Sequence, residues 1–122
     1  MAEYTLIWHR GCSTCKKARA WLDAHGVAYA LRDIRTENPD ETELREIAAR
    51  GGRPAKKLFN TSGQQYRTLG IKDRLPGMSD EEIFSLLASD GMLVKRPLLV
   101  GNGASLVGFR EDEWRMALGL GV

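Results

Sequence analysis

"YTLIWHRGCSTCKKARAWLDAHGVAYALRD", residues 4–33, decides the fold. Its opening, Tyr4 to His9, is a mostly apolar run of strand length. After Gly11 the pattern becomes helical: Ala18, Trp21 and Leu22 share a face, and Cys15 lies at the edge of that stripe. Gly26 marks the end of the helix, and Val27–Asp33 alternates as a second strand. A strand, a helix and a strand in such short order pack most simply as a right-handed parallel βαβ unit.

Working outward, "NPDETELREIAARGG" predicts a second helix. Asn38 is the expected cap, Pro39 suits the first turn, and Glu41 completes a capping-box spacing. Gly51 and Gly52 end it, and Leu44, Ile47 and Ala48 face inward. "RPAKKLFNTSGQQYRTLG" reads as a short helix, a Ser-Gly turn and an anchor formed by Tyr66 and Leu69. "MSDEEIFSLLASDG" is a helix with Ser79 and Glu82 as a capping box, Met78 and Ile83 as a hydrophobic staple, and Gly91 as the stop. "PLLVGNGASLVG" makes two short strands turned at Asn102-Gly103. "EDEWRMALG" is a last amphipathic helix with Trp114, Ala117 and Leu118 inward. The order β-α-β, helices, β-β-α implies an α/β fold with one mixed four-stranded sheet. That is the thioredoxin-like, glutaredoxin-type arrangement: a single domain over residues 1–122 with a helical insertion at about 38–92 between its halves.

Bulk properties narrow the function. A chain of 122 residues suits one core. Lys and Arg number 18 against 16 for Asp and Glu, and a net charge of +2 is too small to argue for direct nucleic-acid binding. No apolar stretch approaches a membrane span. The start, "MAEYTLIWHR", lacks the pattern of a signal peptide, so the expected compartment is the cytoplasm. Stable structural disulfides are rare there, which makes Cys12-x-x-Cys15 more apt for redox or metal chemistry than for a permanent staple.

With the helix starting near Ser13, Cys12 sits at its N-terminus. Unpaired amide N–H groups and the positive end of the helix dipole favour its thiolate, and Lys16 and Lys17 add positive charge. Cys12 is therefore the expected nucleophile. Cys15 is one turn deeper beside the apolar stripe. Cα atoms three apart on a helix lie about 5–6 Å from one another, within disulfide range. Cys15 could thus resolve a mixed disulfide or sulfenic acid formed at Cys12. Two plainer uses stay open: Cys15 as a small buried hydrophobe, and Lys16, Lys17 and Arg19 as a solvated face. His9, Cys12 and Cys15 could supply three zinc ligands, but no second Cys or His pair follows downstream and His25 is at the far end of the helix, so no metal is expected.

"CSTCKKARAWL", "LRDI", "VKRPLLV" and "LVGF" with "EDEW" together resemble the arsenate reductase (ArsC)/Spx family of thioredoxin-like proteins over nearly the whole chain. The central segment most resembles an uncharacterised Spx-like/ArsC-like branch. The resemblance implies a cis-proline facing the cysteine loop, here Pro97 after Arg96. It implies catalysis by Cys12, Cys15 and Arg96, a redox disulfide between the two cysteines, and substrate contacts from Gly11, Ser13, Lys16, Arg96 and Pro97. Glutathione with glutaredoxin, or thioredoxin, would be the reductant, and no bound cofactor is implied. Arsenate reductases of this type hold the oxyanion with several arginines. Arg96 matches one, but Asn60 and Gly108 stand at the other two positions, which weakens arsenate as substrate. Arg53, Arg67 or Arg110 would have to compensate. Spx-type regulators share the cysteine pair and the Arg-Pro segment, which implies the RNA polymerase α-subunit as an alternative partner to a thiol reductant or disulfide-containing protein. The sequence closes on "ALGLGV" and not on the charged C-terminal extension such regulators tend to carry, so the regulatory role is expected to stand second.

Overall fold

The computed structural model describes residues 3–120. Along the chain come β1 (Tyr4–Trp8), α1 (Ser13–Ala24), β2 (Tyr29–Asp33), α2 (Glu41–Arg50), α3 (Gln64–Thr68), α4 (Ile71–Arg74), α5 (Asp80–Ser89), β3 (Leu98–Gly101), β4 (Ala104–Val107) and α6 (Glu111–Ala117). The chain divides into two compact units, one formed by the residues up to Asp33 together with those from Arg96 onward, the other by Ile34–Lys95.

The first unit holds the sheet, in the order β2-β1-β3-β4. β1 and β2 run parallel with Tyr4 opposite Tyr29 and Trp8 opposite Asp33; β1–β3 and β3–β4 are antiparallel. This is the mixed α/β, thioredoxin-like sheet expected from the order of elements. One face of it is covered by α1 and α6: Leu6, Leu99 and Leu106 from the strands meet Ala18, Trp21, Leu22 and Trp114 from the helices. Burying that many large apolar side chains, each worth about 1.5–3 kcal/mol, is what holds α1 on the sheet and so places its first turn. The helix ends as its sequence requires. Val27 N–H donates to Leu22 O and Gly26 N–H to Asp23 O, the paired bonds of a Schellman stop. β2 begins at Tyr29, two residues after the expected Val27, because Val27 is spent on that stop. The β3–β4 hairpin turns at Asn102-Gly103 as expected, both with positive φ.

The second unit is helical. α2 buries Leu44, Ile47 and Ala48 as expected. Its cap, however, is Asp40 rather than Asn38, and its capping box closes on Glu43 rather than Glu41. The spacing Asp40-x-x-Glu43 satisfies the same rule two residues later. Asn38 instead donates to the carbonyls of Leu87 and Ala88, both at 3.1 Å, at the end of α5. Ser79 and Glu82 do form the expected capping box of α5. Gly91 does not stop that helix. α5 ends at Ser89, Asp90 is extended, and Gly91 opens a short 3-10 turn. Its lack of a side chain serves packing, since a Cβ there would collide with the Ile34 carbonyl. Tyr66 is buried as expected and packs against Phe59 with the two rings tilted at 59°, but Leu69 is 42% exposed. Ala117 is likewise exposed: α6 is only seven residues long, and Trp114 takes its inward position. Among the described residues no helix is long and apolar enough to cross a membrane.

Candidate thiol site

The cysteine loop is a tight turn between β1 and α1, closed by Cys12 N–H donating to His9 O at 3.0 Å. Gly11 lies exposed in the turn, where a side chain would crowd the His9 ring. Cys12 is the N-cap of α1, with extended backbone angles (φ −95°, ψ 117°). Its sulfur takes the place of the usual capping oxygen and accepts the Cys15 N–H at 3.4 Å, within reach for a sulfur acceptor and one of the four amide donors a helix start leaves unspent. Cys12 is half-buried and Cys15 fully buried, and both are free thiols.

Burial pushes the Cys15 thiol up from an ordinary 9.0 to about 12, and its hydrogen bond with Cys12 adds to the rise. A backbone hydrogen bond from His9 and the positive charge of Arg96 act the other way. Arg96 and Pro97 lead into β3, whose Leu98 pairs with Ile7, so the antiparallel register sets this segment at the end of β1 from which the cysteine turn leaves. The Arg96–Pro97 peptide is cis, as the resemblance implied. Arg96 is half-buried and Pro97 buried at the head of β3. The structure thus joins Cys12 and Cys15 by a hydrogen bond and brings Arg96 and Pro97 to the same end of β1 by register. Ser13 and Lys16 are exposed on the first turns of α1, and no contact draws the Lys16 side chain to the sulfurs; its amide N–H donates to the Cys12 carbonyl at 3.1 Å.

The proposed compensating arginines have other surroundings. Arg67 donates to the Ser62 carbonyl at 3.2 Å, Arg110 is exposed just before α6, and Arg53 follows α2 in the helical unit. Gly108 is buried, and its N–H donates to the Pro97 carbonyl at 2.8 Å. Among the described residues no three of His, Cys, Asp and Glu converge as metal ligands. Two features escaped the sequence. Arg19 lies over the Trp8 ring at 4.9 Å and donates to the Tyr29 hydroxyl, which donates to Asp23 at 2.7 Å. The Trp114 indole N–H donates to the Gly108 carbonyl at 3.0 Å. Neither pairing has a spacing signal, because each depends on how helix and strand are packed.

A family model described as the ArsC family matches residues 8–117. An uncharacterized protein, YusI, from Bacillus subtilis is 44% identical over 90% of this chain and 93% of its own length. The global transcriptional regulator Spx of Staphylococcus aureus is 30% identical over 93% of this chain and 86% of its own. A crystal structure described as that of a possible arsenate reductase from Streptococcus mutans superposes with a TM-score of 0.85 at 43% identity, covering 93% of this chain and 98% of that one.

Proposed function

The chain belongs to the ArsC family, and on that premise we propose that it is a thiol–disulfide oxidoreductase of the ArsC-like kind, acting through Cys12 and Cys15. The Cys12 thiolate attacks one sulfur of a substrate disulfide and expels the other as a thiolate, leaving a mixed disulfide on Cys12. Cys15 then gives up its proton to solvent and attacks the Cys12 sulfur. The second substrate thiolate leaves, and an intramolecular disulfide remains on the protein. Two electrons have passed to the substrate, and an external thiol, glutathione with glutaredoxin or thioredoxin, returns them. Arg96 orients an anionic or peptide-like substrate, with Gly11, Ser13, Lys16 and Pro97 around it. The cytoplasm supplies such reductants.

The observation that carries this reading is the Cys12 sulfur standing as the N-cap of α1 and accepting the Cys15 amide, with the second sulfur buried one turn below. An N–H aimed at sulfur binds the anion more strongly than the thiol, and it does so at the spot where the amide dipoles of the helix point. Mild oxidation should give a Cys12–Cys15 disulfide by mass spectrometry, and the reduced protein should cleave a model disulfide. If Cys12 and Cys15 never join, the reading fails. Arsenate is the less supported substrate, since Asn60 and Gly108 stand where the resemblance calls for arginines. Arsenate-dependent consumption of a thiol donor, abolished in Cys12→Ser, would be needed to restore it.

A second reading is favoured by the Spx relatives, which match over most of the chain: a redox-sensing regulator that binds the α-subunit of RNA polymerase. It requires a complex with the C-terminal domain of that polypeptide, one that changes with the redox state of the pair. A pull-down empty in both states counts against it.

A further inference from the structure

We propose that Trp114 is a positioning residue for the thiol site: its indole N–H pins the Gly108 carbonyl, and through Gly108 it holds the Arg96–Pro97 segment beside the cysteine pair. The proposal rests on the thiol–disulfide reading above and names a residue that reading does not use.

The chain of bonds is short. Trp114 has no exposed surface. Its ring meets Phe109 edge-on at 4.9 Å and Trp21 at 6.3 Å, with interplanar angles of 85° and 82°. A ring held on two sides cannot turn, so the direction of its N–H is set by packing. That N–H reaches the Gly108 carbonyl at 3.0 Å. Gly108 then donates its own N–H to the Pro97 carbonyl at 2.8 Å, one step beyond the Leu98–Val107 pair that ends the β3–β4 ladder.

Gly108 needs such a holder. Its φ is +74°, a conformation glycine adopts freely but leaves as freely. A peptide with that freedom would not by itself keep Pro97 in place. The indole fixes one side of the Gly108 residue, and the Pro97 carbonyl is fixed in turn. Arg96 is bonded directly to Pro97, beside the end of β1 from which the cysteine turn leaves, and its positive charge lowers the pKa of the Cys15 thiol against the effect of burial. The other charged or titratable group acting on that sulfur is Cys12, while His9 contributes a backbone hydrogen bond. A core tryptophan of α6 is thereby linked to the residue whose positive charge favours the Cys15 thiolate. Filling the core would not need an N–H: a phenyl ring does that. Leaving the Gly108 carbonyl buried and unpaired is what the indole prevents.

The test is the resolving step. Cys12 is loaded with an aryl disulfide whose thionitrobenzoate leaving group is coloured. Cys15 loses its proton to solvent, its sulfur bonds to the Cys12 sulfur, and the coloured thiolate leaves. Trp114→Phe should slow this release about fivefold, the scale of one lost buried hydrogen bond, and should have no further effect when Arg96 is already Gln. Release at the unsubstituted rate, or equal slowing in both backgrounds, overturns the proposal, the second because the tryptophan would then act on the fold and not through Arg96. Should Trp114→Phe fail to fold, the Trp114 indole N–H resonance of the unsubstituted protein decides. It should shift when Arg96 becomes Gln and again when the disulfide forms; a resonance indifferent to both overturns the proposal. An unsubstituted protein that releases no thiolate beyond the loading step takes down the thiol–disulfide reading itself, and this proposal with it.

Discussion

Cys12 and Cys15 differ by less than one turn of helix, and that turn separates a half-buried sulfur from one with no exposed surface. With both reduced, an alkylating reagent at neutral pH should label Cys12 first and Cys15 at least about tenfold more slowly, since the thiolate is the reactive form and Cys15 is held neutral. Comparable labelling of both by peptide mapping would contradict the burial of Cys15. The same thiol makes stability depend on alkaline pH. Below pH 9.0 the folded and unfolded chains both keep the proton. Between 9.0 and about 12 the unfolded chain releases it and the folded chain does not. The native state then binds more protons, so stability falls as pH rises through this window. The urea midpoint should therefore drop more steeply from pH 8.5 upward in the reduced protein than in Cys15→Ala; parallel curves would refute the assignment. At this scale the sequence was informative. The place of Cys12 at the helix start follows from where the apolar period changes, and the burial of Cys15 from its position beside Ala18, Trp21 and Leu22. The size of the Cys15 shift was not legible, since it depends first on how completely the folded chain buries the sulfur, then on the Cys12 hydrogen bond and, least, on Arg96.

Among the elements, local signals located the helices well and sometimes misjudged their ends. "NPDETE" contains two overlapping capping patterns, and nothing within those six residues chooses between Asn38 and Asp40. The choice is made by α5, whose last carbonyls take up the Asn38 amide from 49 and 50 residues away. Asn38→Ala should consequently cost about 1–2 kcal/mol and speed amide exchange at the C-terminal end of α5. Asp40→Ala should cost about 1 kcal/mol and leave that end unchanged. If the two variants show the same exchange pattern, the division of labour is wrong. Gly91 has a similar lesson. Read locally it is a helix stop; in the fold it is where backbone meets backbone. Gly91→Ala should lower stability by more than about 2 kcal/mol, because the Ile34 carbonyl is not a side-chain tip that can step aside. A urea midpoint close to that of the unsubstituted protein would show that the backbone gives way.

For the whole molecule, the question is what the paired sulfurs act on. On the proposed thiol exchange, Cys15→Ser is unable to resolve and should retain its partner as a mixed disulfide on Cys12 when exposed to a cell lysate. Recovery of disulfide-bearing proteins or of glutathione supports the oxidoreductase, and recovery of neither removes its support. RNA polymerase is sought separately, in both redox states, because a switch need not bind it covalently. The order of elements, the βαβ opening, the hairpin turn, the helix cap at Ser79 and the place of Cys12 at a helix start could all be read along the chain. Each rests on neighbours a few residues apart, where periodicity and capping rules operate. The strand order, the exposure of Leu69 and Ala117, the reach of Asn38 to α5 and of Trp114 to Gly108, and the nearness of Arg96 to Cys15 belong to the folded chain alone. Those outcomes are settled by competition among distant side chains for a limited buried surface and a limited number of polar partners, and that competition has no winner until the core has closed.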